Sequence, residues 1–162
     1  MMFRAQLEDL NRAGVRYVVI GGVAATLHGS ASVTFDLDVC FDPVPTNRER
    51  LSDLLRSWGA HLRGVEPGLP FELDAQALAT SHVLTLTTRL GDIDVMDSVT
   101  GVGAYAEVAA NAVEFDVGGG LRCSVLDLPA LVRAKRAAGR LKDKQHLPEL
   151  EALLELTKKR RR

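Results

Sequence analysis

Asp36-Leu37-Asp38-Val39-Cys40-Phe41 alternates polar and apolar residues, the pattern of a half-buried strand. Side chains two apart on a strand share a face, so Asp36 and Asp38 project together while Leu37 and Val39 turn towards a core. Adjacent carboxylates repel, and each raises the other's pKa unless a cation intervenes. A pair aimed at one point therefore suits Mg²⁺, which takes a few carboxylates together with phosphate oxygens. Gly91-Asp92-Ile93-Asp94-Val95-Met96 offers a second set, with Asp92 and Asp94 on one face. If the two strands are neighbours, three or four carboxylates converge. A D-x-D pair facing solvent needs no metal, so the preceding residues carry weight. They run strand (Arg16 to Ile20), Gly21-Gly22, then a short helical stretch. Glycine lets backbone amides approach a phosphate closely, and a helix start adds a favourable dipole.

Several elements must position these groups. Phe3, Leu7 and Leu10 recur at helical spacing before Gly14, which predicts a first helix over Phe3 to Ala13. A helix over Val23 to His28 closes at Gly29. Pro43 and Pro45 end the D-x-D strand, and Thr46 or Asn47 is the expected cap of a helix running to about Trp58. Residues 59–80 resist assignment, with Gly64, Pro67, Gly68 and Pro70 marking a loop. Strands over His82 to Arg89 and Gly91 to Met96 join by a tight turn near Leu90-Gly91. A helix over Ala104 to Ala110 precedes a hairpin, Val113 to Val117 and Leu121 to Val125, around Gly118-Gly119-Gly120. Asp127 caps a helix to about Ala138, with Pro129 in its first turn. A last helix spans roughly Lys144 to Lys159, with Leu147, Leu150, Leu153, Leu154 and Leu156 as its apolar stripe. The mixture predicts an α/β (α+β) domain with a small mixed β-sheet flanked by helices.

The 162 residues fit one domain, 1–157, followed by a basic tail, 158–162. With 46% hydrophobic and 25% charged residues the composition is that of a soluble globular protein. Aromatics are only 5%, so the core must come from Leu, Val and Ala. Cys40 and Cys123 sit among apolar neighbours and read as small buried hydrophobes in a reducing compartment. No stretch approaches the ~18 uninterrupted apolar residues of a membrane span. The N-terminus lacks a signal-peptide core, and the expected location is the cytoplasm. Net charge is −1, but Lys158, Lys159, Arg160, Arg161 and Arg162 leave the rest of the chain distinctly acidic. Such a run attracts nucleic-acid phosphates or is simply a solvated helix end.

The segments Val18-Val19-Ile20-Gly21-Gly22-Val23-Ala24-Ala25-Thr26-Leu27-His28-Gly29 and Thr34-Phe35-Asp36-Leu37-Asp38-Val39 resemble the signature of the polymerase-beta-like nucleotidyltransferase superfamily. The closer resemblance is to its bacterial branch of AbiEii-type (type IV toxin) and related uncharacterised nucleotidyltransferases. That branch also shows a later strand reading glycine, any residue, apolar, Asp, which Gly91-Asp92-Ile93-Asp94 resembles. Its C-terminal Lys…Arg-x-Lys-Asp stretch is matched by Lys135, Arg140, Lys142 and Asp143. The resemblance runs from about residue 15 to 155. It implies that Gly21 and Gly22 hold the triphosphate of an NTP, and that Asp36 and Asp38 bind two Mg²⁺ ions. Asp94 would complete a metal site and help deprotonate the acceptor hydroxyl, with Asp92 in reserve for that place. Lys135, Arg140 and Lys142 would neutralise triphosphate charge. The implied reaction moves an NMP from an NTP (ATP among the candidates) to an acceptor hydroxyl. Relatives commonly carry an Arg where this chain has Ser32, and an Asp where it has His146.

Other signals weigh less. Gly101-Val102-Gly103-Ala104-Tyr105-Ala106 fits a dinucleotide-binding pattern but lacks the following acidic strand end. His28, His61, His82 and His146 are scattered without zinc spacing, and His28 reads as a helix-end histidine bonded to backbone. Trp58 and Phe71 read as core or loop anchors. The family context implies a toxin of a toxin-antitoxin system, with tRNA as acceptor and a cognate antitoxin protein as partner. The alternatives are nucleotidylation of a small molecule such as an antibiotic, and a catalytically degenerate module that binds nucleotide or protein. The edge of the 113–125 hairpin is a candidate dimer contact.

Overall fold

The computed structural model describes residues 3–66 and 70–162. Pro67 and Gly68, read above as loop markers, lie outside the described residues. The chain begins with helix α1 (Arg4–Arg12), whose Leu7 and Leu10 are fully buried. Strand β1 (Tyr17–Ile20) is buried throughout, and α2 (Gly21–Leu27) follows it without a linker. The two glycines were expected to break the chain before a helix at Val23. They instead form its first turn, with Gly21 in the left-handed region at φ 63°.

After α2 the chain reverses into β2 (Asp36–Phe41), antiparallel to β1. Helix α3 (Pro45–Ser57) then contributes Leu51 and Leu55, both fully buried, to the core. Its cap is a correction: Val44 stands at the N-cap and Pro45 in the first turn, so neither Thr46 nor Asn47 caps it. Asn47 is drawn away to lock the β1 and β2 ends together. Its amide donates to the Arg16 and Asp42 carbonyls at 3.0 and 2.8 Å and accepts from the Arg16 N–H at 2.7 Å. Trp58 is fully buried and donates its indole N–H to Asp9 at 3.0 Å.

The stretch from 59 to 80, left without structure by the sequence, holds two short elements. Strand β3 (His61–Leu62) exists only through its pairing with β4 (Val83–Thr88), and α4 (Ala75–Thr80) is capped by Asp74, which accepts from the Ala77 N–H at 2.8 Å. Strand β5 (Gly91–Met96) returns beside β4 and also pairs in parallel with β2. A two-stranded piece, β6 (Ser98–Val99) with β7 (Gly103–Ala104), precedes α5 (Tyr105–Ala110). The hairpin forms as expected from β8 (Ala112–Asp116) and β9 (Arg122–Leu126). Asp127 caps α6 (Leu128–Ala138), accepting from the Ala130 N–H at 2.8 Å. The last helix, α7 (Leu141–Arg160), starts a turn earlier than its leucine stripe suggests, carries Pro148 inside, and takes the basic run into its final turn.

The main sheet has seven strands in the order β3-β4-β5-β2-β1-β9-β8, with parallel neighbours at β5/β2 and β1/β9. Its inner strands are two-faced. Leu37, Val39, Ile93, Val95, Leu84 and Leu86 bury one side of β2, β5 and β4, while the carboxylates and Thr85 occupy the other. Truncating any of these core leucines to Ala should cost roughly 2–5 kcal/mol, the transfer of the side chain plus the cavity left behind. Cys40 and Cys123 are buried free thiols. Among the described residues, no helix is long and apolar enough to cross a membrane.

Candidate active site

Parallel pairing of β2 with β5 sets Asp36 level with Asp92 and Asp38 level with Asp94. Side chains level with one another on paired strands point to the same face. The two D-x-D motifs therefore form a square of carboxylates on the polar face, as the sequence anticipated. Antiparallel β4 places Thr85 beside Asp94 and Thr87 beside Asp92, and β1 ends with Ile20 beside Asp38. One oxygen from each of Asp36, Asp38 and Asp94 can be chosen so that all lie within 4.8 Å of one another. Asp92 shares the face but stands outside this group.

The glycines are required by close approach. A Cβ on Gly21 would sit 2.1 Å from Asp38 Oδ2, and one on Gly22 would sit 2.8 Å from the Thr34 side chain. The start of α2 is thus pressed onto the carboxylates and onto the segment that leads into β2. Thr34 donates its hydroxyl to Asp36 Oδ1 at 3.3 Å, helping to orient that carboxylate. Glu149 on α7 fixes the same segment, accepting from Ser30 Oγ at 2.9 Å, the Ala31 N–H at 2.7 Å and Ser32 Oγ at 3.3 Å. Ser32 is therefore a ligand of Glu149 in the wall of the site.

Electrostatics mark the cluster as charge-frustrated. Burial, then the charges of Asp36 and Asp94, push the Asp38 carboxyl up to about 7, against a lowering pull from Lys142. Burial also raises Asp94, although the Arg63 guanidinium pulls the other way. Arg63 escaped the sequence reading. It follows β3, and its backbone N–H bonds to the Thr85 carbonyl at 3.0 Å, extending the β3/β4 ladder by one residue. Its guanidinium lies 2.7 Å from Asp94 Oδ1, 3.2 Å from Asp92 Oδ2 and 3.7 Å from Asp36 Oδ2, and donates to the Leu86 carbonyl at 2.9 Å. An isolated arginine within an unassigned stretch gives no sequence signal; only the strand register brings it here.

The basic side of the site lies on α6 and α7. Asp143, with its side chain fully buried, accepts from Lys135 Nζ at 3.0 Å and from Arg140 Nε at 2.7 Å. Burial pushes Asp143 up, but the hydrogen bonds from Arg140 and Lys135 outweigh it and hold the carboxyl down at about 2. Lys142 is exposed and makes no ion pair among the described residues. A cleft of about 730 Å³ joins the two sides, lined by Gly21, Gly22, all four strand carboxylates, Lys135, Arg140, Lys142 and His146. Every site residue expected from the sequence thus lines one cavity. His28, by contrast, bonds through Nε2 to the Leu126 carbonyl at 2.8 Å. Gly101 and Gly103 belong to the small β6/β7 turn, where Gly101 packs against α6.

Three clustered carboxylates, one with its proton held near neutrality, are a hard-oxygen donor set short of positive charge. That chemistry fits Mg²⁺ or a similar divalent cation.

No family model matches the chain, and no curated protein matches it in sequence. Solved structures share its architecture, two of them as follows. One is TM1012 from Thermotoga maritima, a nucleotidyltransferase by assignment. It has a TM-score of 0.56 at 16% identity, covering 91% of this chain and 88% of that one. The other is the antibiotic-resistance factor ANT(2'')-Ia, with a TM-score of 0.57 at 12% identity, covering 98% of this chain and 90% of that one. The chain has the nucleotidyltransferase fold, with its carboxylate square facing the cleft.

Proposed function

We propose that this protein is a divalent-metal-dependent nucleotidyltransferase that moves an NMP from an NTP to an acceptor hydroxyl. The observation that carries the reading is the juxtaposition in one cleft of Asp36, Asp38 and Asp94 with Gly21-Gly22 and the cations of α6 and α7. Asp36, Asp38 and Asp94 would hold Mg²⁺, which when bound supplies charge stabilisation for in-line phosphoryl transfer. Asp94 would also take the proton of an acceptor hydroxyl. Gly21 and Gly22 would bring backbone amides towards the triphosphate, and their lack of a side chain is what lets the start of α2 pack against Asp38 and Thr34. Lys142, with Arg140 beside it, supplies positive charge towards the triphosphate.

The acceptor proposed from the family resemblance is an RNA end, tRNA in the toxin reading, with an antitoxin as regulator. The exposed basic turn that ends α7 supports an RNA acceptor. A second reading, a module that binds nucleotide without turnover, draws support from Arg63, which already neutralises part of the cluster.

Incubation with each labelled NTP, Mg²⁺ and pools of RNA, protein or small molecules separates these. The enzyme reading expects label in one pool, abolished by Asp36→Ala or Asp38→Ala. Transfer that survives either substitution contradicts the mechanism. Mg²⁺-dependent thermal stabilisation by NTP without transfer supports the binding module.

A further inference from the structure

Four side chains stand in one row across the polar face. Strand register sets Asp38 beside Asp94 and Asp94 beside Thr85, and the Arg63 N–H to Thr85 carbonyl bond sets Arg63 beside Thr85. From beside β4 the Arg63 side chain reaches the carboxylates of β5 and β2. There it meets Asp94 and Asp36, two of the three residues of the candidate metal group, and Asp92, which lies outside that group. Asp38, the third, has no contact with it among the described residues.

We propose that Arg63 is a built-in counter-ion of the cluster: it occupies cation space in the metal-free protein and sets how tightly a divalent metal binds. The proposal rests on the metal-site reading above. A guanidinium stays protonated across the whole accessible pH range, so its competition with a metal cannot be relieved by deprotonation. Either Arg63 withdraws from Asp94 and Asp36 when the metal enters, or two cations share one set of carboxylates. Both lower metal affinity. Asp92 explains how the arginine stays available, since it can keep the Nε contact while Asp94 and Asp36 turn to the metal. The Arg63 side chain is 30% exposed, which leaves a path for withdrawal. Arg63 is in this sense a positioning residue. It keeps the repelling carboxylates together before metal arrives and makes bare metal bind weakly. A metal accompanied by a triphosphate brings negative charge for the displaced guanidinium to meet.

The test is calorimetric titration of Mn²⁺, without nucleotide, into wild type, Arg63→Gln and Arg63→Lys at pH 8. Arg63→Gln is expected to bind Mn²⁺ at least about tenfold more tightly, a difference of about 1.4 kcal/mol, and to melt earlier than wild type without metal. Arg63→Lys restores the weaker binding. A folded Arg63→Gln protein that binds Mn²⁺ no more tightly than wild type overturns the proposal and leaves the metal site standing. If no protein in the series binds Mn²⁺, the metal site falls and the proposal with it. Should Arg63→Gln fail to fold, Arg63→Met, which keeps an unbranched side chain without the charge, takes its place. Arg63→Met is expected to bind Mn²⁺ more tightly than wild type, and equal or weaker binding then overturns the proposal.

Discussion

The two walls of the cleft solve opposite electrostatic problems. On α6 and α7 one buried carboxylate, Asp143, has two cations in contact and a side chain sealed from solvent. On β2 and β5 four carboxylates crowd one face, and Arg63 touches three of them. The consequences show in the carboxyl pKa values: Asp143 is held down at about 2, whereas Asp38 is pushed up to about 7. A satisfied ionic cluster is a structural device, and breaking it leaves a buried charge unpaired. A cluster left short of positive charge has the electrostatics that the proposed cation site requires. The difference separates a wall whose charges are paired within the fold from the wall proposed to carry the chemistry.

The sharpest way to break the contrast is to remove the central carboxylate of the satisfied wall. Asp143→Ala leaves the Lys135 ammonium, only 14% exposed, without its partner. It should cost roughly 3 kcal/mol in urea denaturation, the usual loss when one member of a buried pair is deleted. A loss near zero would mean that α6 and α7 are held by packing alone. Gly21→Ala tests how closely the open wall is built. The added methyl meets both a left-handed backbone and Asp38 Oδ2, and the backbone alone should cost roughly 1–2 kcal/mol. Mn²⁺ affinity should fall with it, because Asp38 must move. Stability loss with unchanged Mn²⁺ binding would separate the glycine from the site.

The pH dependence should have two limbs of opposite sign. Asp143 is lower in the folded state than in the unfolded chain, so its contribution is present above about pH 4 and is lost as pH falls through about 2. Asp38 is raised on folding, so its contribution is full below about pH 4 and is lost as pH rises through about 7. Stability of metal-free protein measured from pH 2 to 9 should therefore decline at both ends. Asp143→Ala should remove the contribution of that carboxyl at the acid end, and Asp38→Asn that of its carboxyl at the neutral end. A neutral-side decline that persists undiminished in Asp38→Asn would assign it to another group.

Much of the open wall was legible in the sequence because strand alternation has a strict period. Asp36, Asp38, Asp92 and Asp94 had to share faces, and Gly21-Gly22 had to mean close approach. What the sequence hid depends on long-range pairing. Arg63 follows a two-residue strand that exists only because β4 is beside it. Glu149 acts on Ser30, Ala31 and Ser32 across more than a hundred residues. Local chemistry also misled where tertiary demand outbid it. Asn47, a good helix cap by type, is used instead to tie the Arg16 and Asp42 backbones. Helix α7 begins early because Asp143 accepts from the Arg140 N–H at 3.3 Å and anchors the first turn, a device that a leucine stripe cannot show.

The central claim is that the frustrated wall is a metal site built around Asp38, and Mn²⁺ titration calorimetry of wild type and Asp38→Asn at pH 8 tests it most directly. The account predicts saturable Mn²⁺ binding by wild type, and at least a tenfold loss of affinity in an Asp38→Asn protein that melts no earlier than wild type without metal. Equal Mn²⁺ affinity in the two proteins, or no binding by wild type, would contradict it.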